Sequence, residues 1–161
     1  GSGYDVACGL ADGPIFYSKK QSNPKVESIS LSPIFFEKLY FVYLNQKADS
    51  QKAVHDFDLN KVNTRIIKKL DNLTEEMSST YDINKFKNAM EEHEKIIGSM
   101  IKKRPVKDVL FSNFTGSIKS LGAWGGDFIL VTENKDRDTE RYFKKMGYNT
   151  VIPWKEMSLA Q

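Results

Sequence analysis

Two amphipathic stripes in direct succession limit most what this chain can fold into. Leu59, Val62, Ile66, Leu70, Leu73 and Met77 recur at intervals of 3, 4, 4, 3 and 4, which keeps them on one side of an α-helix. Ile83, Phe86, Met90, Ile97 and Ile101 form a second such face. Asp58 and Asp82 stand ahead of the two runs as N-caps. Lys102-Lys103-Arg104 suit the negative end of the second helix dipole, and Pro105 stops that helix. Two such helices in sequence predict an antiparallel pair, and each apolar face needs a surface to cover.

The surrounding segments supply that surface as strands. Ile15-Phe16-Tyr17 follows the Gly13-Pro14 punctuation, and residues 26–31 read as a second strand. Residues 38–44, rich in aromatic and β-branched side chains, carry the clearest strand signal. Asp49 or Ser50 then caps a short helix through Val54 and Phe57. Downstream, residues 117–121, 128–131 and 150–152 read as strands. A helix over 138–146 ends at Gly147, the usual place for a glycine. The resulting order, β-β-β-α-α-α-β-β-α-β, predicts an α+β fold: a largely antiparallel sheet covered by helices.

At 161 residues the chain fits one domain. Its net charge of +3 suits an anionic small molecule and is too mild to argue for nucleic acid. The single cysteine, Cys8, excludes an internal disulfide and fits a reducing cytoplasm; with no histidine near it in sequence, it reads as a small buried residue. The first residues carry no apolar signal-like run. No apolar stretch approaches the roughly 20 residues of a bilayer span, so no membrane partner is expected. His55 and His93 share no metal-ligand spacing, and no metal ligand is assigned.

Two glycine-bearing segments hold the candidate chemistry. Gly3-Tyr4-Asp5-Val6-Ala7 places one acid in a small-residue loop; Asp5 is either a base that takes a hydroxyl proton or a turn residue bonding its own backbone. Gly122-Ala123-Trp124-Gly125-Gly126 precedes an apolar strand. Its backbone N–H groups can meet an anion, or the glycines serve a tight hairpin. It is neither a Walker A loop nor a dinucleotide fingerprint. Lys119, on the strand entering that segment, could reach a phosphate; the plainer reading leaves it facing solvent. Ser50 could touch substrate, but helix capping is its plainer role.

Together these residues resemble the kinase superfamily of galactokinase, homoserine kinase, mevalonate kinase and phosphomevalonate kinase. The resemblance is closest to the bacterial branch with a Gly-Tyr-Asp-Ile-Ala signature. Here that signature reads Gly3-Tyr4-Asp5-Val6-Ala7. Gly13-Pro14-Ile15-Phe16-Tyr17, Tyr43-Leu44-Asn45-Gln46-Lys47 leading to Ser50, and residues 119–128 extend the likeness over nearly the whole chain.

The resemblance implies a ferredoxin-like C-terminal domain and an enzyme that moves the γ-phosphoryl group of ATP to a hydroxyl or phosphate acceptor in isoprenoid-type biosynthesis. It makes Asp5 the catalytic base. It also places Ser2, Gly3, Lys119, Gly122, Ala123, Gly125 and Gly126 around the substrate and phosphates, with Trp124 where the family usually has glycine. ATP and Mg²⁺ are the implied cofactors. The family's nucleotide loop and its magnesium-holding acid belong to an N-terminal half and do not occur in this sequence. Residues 1–161 are therefore expected to be the C-terminal kinase domain, with the end of the catalytic-aspartate segment at 1–17. The chain alone is expected to be inactive. The partners implied are a small-molecule acceptor and the N-terminal half, with self-association through the face that half would cover. The rival reading, a non-catalytic module binding RNA or protein, lacks an aromatic RNA-binding strand motif, and the basic residues are spread rather than striped.

Overall fold

The computed structural model describes residues 3–20, 23–30, 34–47, 62–122, 124, 127–133 and 138–157. The chain opens with a short helix, α1 (Tyr4–Leu10), and a hairpin of β1 (Ile15–Lys20) and β2 (Asn23–Ser28). A 3₁₀ turn (Ile34–Lys38) leads into β3 (Leu39–Tyr43). Then come α2 (Thr64–Ser79), α3 (Ile83–Met100), α4 (Val106–Leu110), β4 (Ile118–Ser120), β5 (Phe128–Thr132), α5 (Thr139–Lys145), β6 (Val151–Pro153) and α6 (Trp154–Met157). This is an α+β fold with two antiparallel sheets among the described residues.

The larger sheet has the order β4-β5-β3-β6, with every pairing antiparallel. Register decides what each face carries, because successive side chains alternate. Val42 pairs with Ile129 and Val151, and Val131 pairs with Ile118. That face packs under Val106 of α4, Phe111, Phe114 and Phe143 of α5. Leu39 and Leu130 lie on the other face, with Phe35 and with Phe86 and Met90 of α3. Trp154 closes this second cluster by packing on Phe36 and Phe41, with ring centroids 4.5 and 5.3 Å apart. Apolar cores thus cover both faces of the four-stranded sheet.

The two long helices form for the reasons their stripes suggest. Asp82 caps α3 by accepting the Asn84 N–H at 2.8 Å. Asn63 caps α2 through the Ile66 N–H; Asp58, expected there, and the short helix through Val54 and Phe57 lie outside the described residues. The link Thr80–Asp82 is short, and α2 and α3 pack along each other with an ion pair between Lys69 and Glu92. Asp138 caps α5, and Gly147 after it has φ +87°.

Several expectations are corrected. Residues 4–10 are helical rather than a loop. The second strand covers Asn23–Ser28, earlier than residues 26–31. Pro105 does not simply stop α3, which ends at Met100; it begins α4. Cys8 is exposed, because α1 buries none of its residues. Among the described residues no helix is long and apolar enough to cross a membrane.

Candidate functional site

The N-terminal segment is lightly held. Gly3 sits at the N-cap of α1 with φ +82°, and the Tyr4 ring meets Tyr17 of β1 edge-on at 5.7 Å. A hydrogen bond with Cys8, then burial, pushes the Tyr4 hydroxyl up to about 12. Asp5 lies in the first turn of α1, exposed, and forms no hydrogen bond or ion pair with another described residue. A carboxylate so placed is open to an incoming hydroxyl. Ser2, three residues before it, lies outside the described residues.

The second glycine segment connects β4 to β5. Gly122 has φ +61° and Asp127 φ +49°, backbone states that favour glycine and are tolerated by aspartate. Ala123, Gly125 and Gly126 lie outside the described residues. Asp127 ties the connection to the end of β3: its carbonyl accepts the Leu44 N–H at 2.7 Å, and its N–H donates to the Gln46 carbonyl at 2.9 Å. The structure therefore joins two segments separated in sequence, 43–47 and 119–128.

Beneath the connection lies a polar cluster between α3 and the outer edge of β4. Glu94 is 2% exposed. Its two carboxylate oxygens accept the Ser120 hydroxyl at 2.6 Å and the Ser120 N–H at 3.1 Å. That N–H points outward from an edge strand, where an unpaired donor invites pairing with other chains. Lys119 Nζ donates to the Ser120 carbonyl at 3.3 Å, so the same edge is covered on both its donor and its acceptor. One turn earlier on α3, Glu91 accepts the Ser117 hydroxyl at 2.8 Å and meets Lys107 at 3.4 Å.

Burial governs the charges in this cluster. It raises the Glu94 carboxyl, opposed by the Ser120 bonds, Lys119 and Trp124. It lowers the Lys119 ammonium, opposed by Glu94. It holds His93 down at about 4, assisted by Lys119, and His93 Nδ1 is buried without a hydrogen-bond partner among the described residues. Trp124 Nε1 is also buried and has no hydrogen-bond partner among the described residues.

Lys119 is half-buried, with its ammonium turned to the Ser120 carbonyl rather than fully out to solvent. The hairpin borders the end of α2 and the α2–α3 link at a cleft of about 370 Å³ lined by Phe16, Ile29, Ser30 and residues 78–81, just before the start of α3. Trp124 lies against Gly98 near its end, roughly 20 Å along the helix at 1.5 Å per residue. Among the described residues no group of three or more His, Cys, Asp or Glu is placed to hold a metal.

Sequence reasoning considered His93 only as a metal ligand, and did not single out Glu94 or Gly98. One signal was present. The stripe of α3 runs from Met90 to Ile97 with the apolar slot between them filled by Glu94, and a carboxylate on a core-facing stripe needs partners. No protein-family model matches the chain, and no curated protein matches it.

Proposed function

We propose that this chain is the C-terminal part of an ATP-dependent small-molecule kinase of the mevalonate or phosphomevalonate kinase type. The observation that carries the reading is the junction at Asp127. It unites two of the segments on which the family resemblance rests, 43–47 and 119–128, at one end of the sheet. The element order from β3 to β6, strand–helices–strand–strand–helix–strand, also matches the split β-α-β pattern that the resemblance implies. The covering of both sheet faces departs from a single helical layer.

In this reading Asp5 accepts the proton of the acceptor hydroxyl as its oxygen attacks the γ-phosphorus, and the bond to the departing ADP breaks. The base must lie within hydrogen-bond reach of that proton. Bringing the Asp5 segment to the Gly122 connection therefore falls to the N-terminal half, which would also bind ATP and Mg²⁺. Backbone N–H groups around Gly122 meet phosphate oxygens. Such groups stabilise charge as it develops, and phosphoryl transfer depends mainly on positioning and charge stabilisation. The half-buried ammonium of Lys119 also supports the edge of β4 through the Ser120 carbonyl. An RNA-binding module would need an open sheet face, and both faces of the four-stranded sheet carry apolar cores.

The test is steady-state kinetics of the protein at its full natural length. Asp5→Asn is expected to leave the KM for ATP nearly unchanged and to lower kcat by about 10²–10⁴, the usual worth of a general base. Undiminished turnover would remove Asp5 from the reaction.

A further inference from the structure

Gly98 of α3 has no room for a side chain. A Cβ built there would lie 2.7 Å from the Lys103 carbonyl oxygen and 2.9 Å from Cη2 of Trp124, distances a side chain does not adopt without displacing something. Helix closure explains the first contact: the Lys103 N–H donates to the Gly98 carbonyl at 2.9 Å, with Lys102 in the left-handed region at φ +56°. The second contact concerns a residue 26 positions away, Trp124 in the β4–β5 connection. Glu94 lies four residues before Gly98, hence on the same face of the helix. It holds Ser120, the last residue of β4, by two hydrogen bonds. The Trp124 ring, through Cη2 and Cζ2, rests on Gly98 one turn further along the same face. One helix face thus grips the connection at its entry and again within it.

We infer that Gly98 of α3 is the seat of Trp124, and that this seat, with the Glu94 bonds to Ser120, forms a socket that fixes the described residues between β4 and β5. Glycine alone leaves a backbone free to adopt many conformations. An indole seated on a helix removes much of that freedom. Trp124 and Glu94 are positioning residues in this account, because they act through the backbone of Gly122 and Asp127. The placement stands on geometry alone; only its consequence for turnover rests on the kinase reading.

Hydrogen exchange resolved by residue is the test. The amides of Leu121 and Asp127 report the connection, since they donate to the Phe128 and Gln46 carbonyls, and the amide of Ile67, bonded to Asn63 in α2, serves as control. Trp124→Gly is expected to speed exchange at Leu121 and Asp127 by about tenfold or more, as local opening becomes easier, while Ile67 is unchanged. Trp124→Phe should fall between. Gly98→Ala should loosen the same amides from the helix side; if it does not fold, Trp124→Gly decides. Unchanged protection at Leu121 and Asp127 overturns the socket. Equal loss at Ile67 also overturns it, by making Trp124 an ordinary core residue. In the full-length enzyme Trp124→Gly should lower kcat at constant KM for ATP. A wild-type protein that transfers no phosphoryl group would defeat the kinase reading and leave the exchange result standing.

Discussion

His93 shows how one buried group sets an acid response. Its ordinary value of 6.5 falls to about 4 in the fold, chiefly because burial disfavours the imidazolium. Between those values the unfolded chain binds the proton and the folded chain does not. Stability from this residue is therefore complete above about pH 6.5 and is lost as pH falls toward about 4. Glu94 has the opposite sign, since its raised value lets the folded state take a proton first. His93→Leu removes the first slope and an unpartnered buried nitrogen. The variant's Tm, followed from pH 7 to pH 4, should decline less steeply than that of the wild type. Parallel declines would mean that solvent reaches the imidazole freely.

At the scale of elements, α3 does most of the organising. It fills one face of the sheet with Phe86 and Met90, caps the edge of β4 with Glu94, and seats Trp124 at Gly98. Its start depends on the Asp82 side chain, which satisfies an N–H that no helical carbonyl can reach. Asp82→Ala should cost about 1 kcal/mol. Urea unfolding would register this as a lower midpoint at unchanged slope, and an unchanged midpoint would show that packing alone fixes the helix start. This helix was legible because its stripe repeats over five turns and its cap is a standard residue. β3, β5 and α5 were legible for similar reasons, alternation or periodicity bounded by a recognisable stop. The short helices were not. Val106–Leu110 and Trp154–Met157 are too brief to display a period, and each follows a proline that reads as a terminator. Tyr4–Leu10 buries nothing, so no apolar pattern marked it among its glycines. Within the candidate site the glycine segments were visible as composition. Their support was not, because Glu94, Ser120, Gly98 and Trp124 meet only through tertiary packing.

For the molecule as a whole, the body built on the four-stranded sheet contrasts with the N-terminal unit. The sheet has an apolar core on each face. The unit of α1, β1 and β2 leaves Tyr4, Val6, Leu10 and Val26 exposed. In the kinase reading that unit carries the base and the sheet end carries the phosphate-side backbone, so activity requires the N-terminal half to bring them together. The most direct test supplies γ-labelled ATP with Mg²⁺ to the protein at its full natural length, alongside mevalonate-type acceptors bearing a free hydroxyl or a phosphate. The account predicts label on the small-molecule acceptor with the full-length protein and none with the 161-residue chain alone. A full-length protein that binds ATP and labels neither kind of acceptor would contradict it.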